Sequence, residues 1–165
     1  MIRAAILVIS DSASAGTRPD ASGDVIAQVL GGIAGEIVKR EIVPDECDSI
    51  ASALIRLAAE ADLVVTTGGT GVSPRDVTPE ATRRVIEKEL PGFGEVMRLK
   101  GLEKTPHAIL SRATAGTRGG TLIVNLPGSP KAVKECLEAV LPAIPHGIEI
   151  AQGRARDCAR RERSG

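Results

Sequence analysis

At 165 residues, 42% of them hydrophobic and 25% charged, the chain suits one domain with a real core and has the composition of a soluble globular protein. Its 21 basic and 21 acidic residues cancel, so no global field draws it to nucleic acid or an anionic membrane, and no apolar run approaches a membrane span. Phe93 is the sole aromatic residue, which argues against the stacking platforms of single-stranded nucleic-acid binding and leaves Val, Ile, Leu and Ala to build the core.

The opening, MIRAAILVIS, carries one arginine and no cleavage-site pattern, so it reads as the first strand of a cytoplasmic protein. Residues 4–9 form a continuous apolar run bounded by Ser10-Asp11-Ser12, as expected of a strand buried on both faces. A polar loop runs to Ser22, the expected cap of a helix that carries Ile26, Val29, Leu30 and Ile33 on one face and ends near Gly31-Gly32. Residues 36–43 alternate charge with Val and Ile and suit a strand nearer an edge. Ile50, Leu54, Leu57 and Ala58 place a helix over 48–61, and 63–67 is a third strand. Thr78 is the expected cap of the next helix, with Pro79 at its first position and Pro91-Gly92 at its end. A less regular helix follows over 93–104. Ala108 to Leu110 and Ala113 to Thr114 tolerate strand geometry, and 116–120 looks like a turn. Residues 121–126 form another buried strand. Ser129 then caps a last long helix, opened by Pro130, whose stripe is Val133, Leu137, Val140, Leu141 and Ile144.

Alternating strands and helices predict an α/β fold, a largely parallel sheet with helices on both faces. One domain over 1–150 and a polar, frayed tail over 151–165 account for the chain. Cys47, Cys136 and Cys158 are odd in number and far apart, fitting neither a disulfide framework nor a metal ribbon. Cys136 falls on the apolar stripe of the last helix and reads as a core residue. His107 and His146 lack ligand-like spacing.

Ligands of a parallel sheet gather where strands end. Here the post-strand loops begin with SDSASAG (10–16), PDE (44–46), TGGTG (67–71) and NLPGSP (125–130). Gly68, Gly69 and Gly71 allow close backbone approach and can turn N–H groups toward an anion. The helix starts near Pro79 and Pro130 add donors and a positive dipole end. P-loop and dinucleotide fingerprints do not fit, because no Lys follows at P-loop spacing and Pro74 stands where a third glycine belongs. Gly71-Val72-Ser73-Pro74-Arg75 departs from a nucleophile elbow at its last residue. Asp45 and Asp76 read either as turn-formers or as two carboxylates holding Mg²⁺ beside phosphates, and loop composition leaves both readings open.

Taken together, ISDSASAG, PDASG, VPDE, TTGGTGVSPRDVTPEAT, PGFGEVMR and the long run from LSRATAG through NLPGSP to PHGI resemble the molybdopterin adenylyltransferase family, which includes Mog and MoaB proteins, the plant Cnx G domain and the gephyrin N-terminal domain. The match covers most of residues 5–150. It implies a three-layer α/β/α sandwich, a homotrimer or hexamer, and Mg²⁺-dependent transfer of AMP from ATP to molybdopterin, whose product a MoeA-type insertase consumes. By the same resemblance Asp45 and Asp76 occupy the positions of two essential aspartates. Ser10, Asp11 and Asp20 match first-loop pocket residues, Gly68, Gly69, Thr70 and Gly71 the phosphate loop, and Ser111, Asn125, Pro127, Gly128 and Ser129 the opposite wall. The alternative is a MoaB-type binding protein that holds molybdopterin without turnover. Arg75, Arg112 and Arg118 default to surface positions.

Overall fold

Why four consecutive strands of the sheet pair in parallel follows from their burial. In β1 (Ile2–Ile9) the side chains of Ala4, Ile6 and Val8 enter one apolar cluster and those of Ala5, Leu7 and Ile9 another. A strand with no solvent face must be covered by helices on both sides, and crossover helices between parallel strands supply that cover. The computed structural model describes residues 1–155. Its sheet has six strands in the order β2-β1-β3-β6-β5-β4. The first four, β2 (Ala34–Val43), β1, β3 (Leu63–Thr67) and β6 (Thr121–Leu126), pair in parallel; β5 (Ala115–Arg118) runs antiparallel to β6, and the short edge strand β4 (Lys88–Glu89) runs antiparallel to β5.

The first cluster receives Ile26 and Leu30 from α2 (Ala21–Leu30), Met97 from α5 (Pro91–Leu102), Val133, Cys136 and Leu137 from α6 (Pro130–Val140), and Ile144 and Ile148 from α7 (Ile144–Ala151). On the other face, Ile50, Leu54 and Leu57 of α3 (Cys47–Glu60) and Ala81 and Val85 of α4 (Thr78–Val85) pack on the sheet. The result is the expected three-layer α/β/α sandwich. Each fully buried Leu or Ile contributes about 1.5–3 kcal/mol relative to exposure. Among the described residues no helix is long and apolar enough to cross a membrane.

Winding sets the site. The chain leaves β1 through a four-residue helix, α1 (Asp11–Ser14), and α2 to reach β2 at the edge, then returns over the opposite face through α3 to β3 on the other side of β1. The carboxyl ends of β1 and β3 therefore flank the point where the winding reverses, the position at which open α/β sheets bind ligands.

Several local expectations are corrected. Asp20, not Ser22, caps α2, its carboxylate accepting from the Gly23 N–H at 2.7 Å. Thr78 is the first residue of α4 rather than its cap; its hydroxyl donates to the Gly68 carbonyl at 2.8 Å. That helix stops at Val85, because the backbone N–H groups of Glu87 and Leu90 find the carbonyls of Thr117 and Ala115 and the chain becomes the edge strand β4. Pro91 opens α5 instead of closing α4. Gly116 belongs to β5, where a side chain would collide with Ile86 and the Lys88 carbonyl of the neighbouring segment, and the turn narrows to Gly119-Gly120. A 3-10 turn occupies Pro106–Leu110. The last helical stretch is divided by a second 3-10 turn at Leu141–Ala143, so its stripe is shared between α6 and α7. The backbone N–H groups of Arg154 and Ala155 bond to the Glu149 carbonyl. The rest of the expected polar tail, with Cys158, lies outside the described residues.

Candidate active site

Four loops meet at the rim. A cleft of about 360 Å³ opens between the β1 and β3 ends and the start of α2, lined by Ser10, Asp20, Ser22, Gly68, Gly128 and Ser129. Ser10 caps α1, its hydroxyl accepting from the Ala13 N–H at 3.2 Å. Asp20 is held by its cap bond and by an ion pair with Arg40 of β2, which also reaches Asp24 at 2.7 Å. Ser22, freed from capping, donates to the Gly128 carbonyl at 2.6 Å and ties α2 to the loop after β6.

The loops after β1 and β2 are joined reciprocally. The Asp11 N–H donates to an Asp45 carboxylate oxygen at 2.9 Å, and the Asp45 N–H donates to an Asp11 carboxylate oxygen at 3.0 Å. Arg75, from the loop after β3, grips both Asp11 oxygens through Nε at 3.0 Å and Nη2 at 2.9 Å. Such a two-point guanidinium–carboxylate pair fixes orientation as well as charge. Arg75 and the Asp45 N–H hold the Asp11 carboxyl below its ordinary range. Asp45 moves the other way. Burial raises its pKa, and the nearby charges of Asp11 and Asp76 raise it further against the pull of the Asp11 N–H and Arg75. Arg75 thus compensates the Asp11 carboxylate, while Asp45 is held in a partly desolvated position beside like charge.

The glycine loop explains why both aspartates can sit there. Gly68 has φ +96° and Gly69 φ +67°, a region that side-chain-bearing residues rarely enter. A Cβ on Gly68 would overlap the Ile9 carbonyl oxygen, so β1 and the loop approach each other through that missing atom. Built on Gly69, a Cβ would stand 3.1 Å from Asp45 Oδ1; on Gly71 it would stand 2.8 Å from Asp76 Oδ2. Two glycines therefore make room for two carboxylates. Asp76 Oδ2 also accepts from the Ser73 N–H at 2.9 Å, closing a small turn. Thr70 is buried rather than presented to the rim, at 5% exposure.

The opposite wall divides. Gly128 and Ser129 face the cleft, and Ser129 caps α6 as expected, its hydroxyl accepting from the Ala132 N–H at 3.3 Å. Ser111 and Pro127 line a neighbouring cavity of about 240 Å³, alongside Met97, His107 and Cys136. Burial pushes the Cys136 thiol up to about 11, as suits an inert core cysteine. Asn125 is a correction: it is fully buried beneath the rim and lines no wall. Its amide donates to the hydroxyls of Thr66 at 3.1 Å and Thr82 at 3.0 Å, and its oxygen accepts from the Thr114 N–H at 3.4 Å. Lys131 is exposed at the start of α6.

Three residues with clear work at the rim escape sequence reasoning: Ser22, expected as a cap, and Arg75 and Arg112, expected at the surface. No periodicity marks them, since each acts on a partner distant in sequence.

Residues 5–146 match the family model described as "probable molybdopterin binding domain". A molybdopterin adenylyltransferase of Helicobacter pylori is 51% identical over 156 residues, spanning 92% of this chain and 89% of its own. The molybdopterin adenylyltransferase of Escherichia coli is 43% identical over 155 residues, with coverages of 89% and 80%. Among solved structures, the molybdopterin biosynthesis enzyme MoaB of Thermus thermophilus superposes with a TM-score of 0.85 at 50% identity, covering 93% of this chain and 98% of that one.

Proposed function

The chain belongs to this molybdopterin-binding family, and from that premise we propose what its rim does. It is a molybdopterin adenylyltransferase of molybdenum cofactor biosynthesis. A terminal phosphate oxygen of molybdopterin attacks the α-phosphorus of ATP; the new P–O bond forms as the bond to the bridging oxygen of the β-phosphate breaks, and pyrophosphate leaves. The attacking phosphate monoester is largely ionised near neutrality, with a second pKa of about 6, so the step requires no general base. What it requires is alignment of two anions and compensation of charge.

The observation that carries this reading is the pair of carboxylates, Asp45 and Asp76, standing against Gly69 and Gly71 at the point where the sheet winding reverses. Neither is placed as a nucleophile. They suit one divalent cation shared with phosphates: both offer hard oxygens, and Asp45 is crowded by the negative charge of Asp11 and Asp76. Among the described residues no three potential ligands gather into a closed metal site. One or two carboxylates completed by substrate phosphates is the way Mg²⁺ is ordinarily held. When bound, Mg²⁺ would neutralise phosphate charge and polarise the α-phosphorus. Gly68 and Gly69 bring their backbone against the phosphates, Ser10, Gly128 and Ser129 border the nucleotide, and Ser111 and Pro127 border the pterin. The expected setting is a cytoplasmic homotrimer or hexamer that passes its product to a MoeA-type insertase.

AMP transfer from labelled ATP to molybdopterin, with purified protein and Mg²⁺, tests the reading. Adenylyl-molybdopterin formed by the parent and at least about 100-fold more slowly by Asp76→Asn is the expected result. Molybdopterin binding by a folded parent without product would instead indicate a non-catalytic carrier.

A further inference from the structure

Arg112 enters the rim from the segment that precedes β5, and its contacts turn inward. Its backbone N–H donates to the Thr70 carbonyl at 2.8 Å. Its guanidinium donates from Nε to the Gly71 carbonyl at 2.7 Å and from Nη2 to the Asp76 carbonyl at 2.9 Å. Nη1 and Nη2 also engage the carboxylate of Glu80 on α4. The pairing lowers the Glu80 carboxyl below its usual range and keeps that anchor charged. One side chain thus fastens both ends of residues 71–76 and pins them to the helix that follows.

We propose that Arg112 is a positioning residue for the transfer reaction, fixing the Gly68–Gly71 loop and Asp76 in register without touching substrate; this rests on the function proposed above. The planar guanidinium is the reason for arginine here. It can bridge two carbonyls and a carboxylate at once in fixed directions, whereas a lysine ammonium is a single point charge that cannot span them. With three of its nitrogens directed at protein acceptors, it has little left to offer a phosphate. Released from the clamp, the Gly71 and Asp76 carbonyls would turn toward water, and the Asp76 carboxylate would move with its backbone. A displacement of about 1 Å at a reacting centre costs roughly 100-fold in rate.

The test is a mutant cycle on full-length protein, read as kcat and KM for AMP transfer to molybdopterin. Arg112→Ala and Arg112→Lys should each lower kcat by about 10- to 100-fold while KM for ATP and for molybdopterin moves by less than about threefold. In an Asp76→Asn background the same substitutions should cost less than about twofold more, because the group they misplace is already disabled. Glu80→Gln, which weakens the anchor and leaves Arg112 in place, should give an intermediate kcat loss, and it carries the test should the alanine variant fail to fold. Losses that multiply fully in the Asp76→Asn background, a raised KM at parent kcat, or an Arg112→Lys or Glu80→Gln variant at parent rate would each overturn the proposal. A parent without turnover overturns the proposed function and this inference together. An active parent matched by its Arg112 variants overturns this inference alone.

Discussion

The parallel and antiparallel parts of the sheet serve the rim from opposite directions. Each of β1, β2, β3 and β6 runs toward the rim and leaves it as a loop, which is why Ser10, Asp45, Gly68 and Gly128 collect there. β5 runs the other way, so the chain arrives at the same rim before it enters the sheet, bringing Ser111 and Arg112. The parallel part brings Ser10, Gly68 and Gly128 to the cleft, and the segment before β5 brings the Arg112 clamp that holds residues 71 and 76 from behind. An edge addition that looks peripheral in strand order is thereby wired to the centre.

Substitutions can break this division of labour. The largest loss should come from the parallel part: Asp45→Asn or Asp76→Asn should each lower AMP transfer by about 100- to 1,000-fold, with circular dichroism unchanged. The amide substitution keeps one oxygen for the Asp11 or Ser73 N–H while removing the charge and the second acceptor oxygen. Next, Gly68→Ala should destabilise by at least about 1–3 kcal/mol from the positive φ alone, and by more from overlap with the Ile9 carbonyl, visible as a large drop in denaturant midpoint. Asn125→Ala attacks the seam between the two parts. Thr66, Thr82 and the Thr114 N–H would lose a buried partner, at about 1–3 kcal/mol in unfolding experiments. Ser129→Ala should remove a helix cap, at about 1 kcal/mol in unfolding experiments. A stability loss at Ser129 exceeding that at Asn125 would refute the idea that the seam holds the sheet's two parts together.

The strands covered on both faces were the most legible in sequence. β3 and β6 lie over 63–67 and 121–126 as expected, because short runs dominated by Val, Ile, Leu and Thr and bounded by turn signals suit a strand buried on both faces. The edge position of β2 was legible from its alternating charges, one of which, Arg40, now holds Asp20 and Asp24. What escaped was structure made by long-range pairing. Lys88 and Glu89 have no strand signature, and only the carbonyls of β5 draw them into the sheet. At the site, the glycine loop stood out through residue type and spacing, whereas the roles of Asp45 and Asp76 were implied only by the family resemblance. Ser22, Arg75 and Arg112 did not stand out, since their partners lie 106, 64 and 41 residues away.

The reciprocal bonds between Asp11 and Asp45 also govern how the rim moves. Each residue's amide proton is covered by the other's carboxylate, so neither loop can expose its own amide while its neighbour stays put. The two amides should consequently exchange with deuterium at a common rate set by one shared opening, although they are 34 positions apart in the chain. Arg75→Ala, which frees the outer side of Asp11, should speed both exchanges by the same factor. The ends of β1 and β2 would then open and close as one hinge rather than as two independent loops.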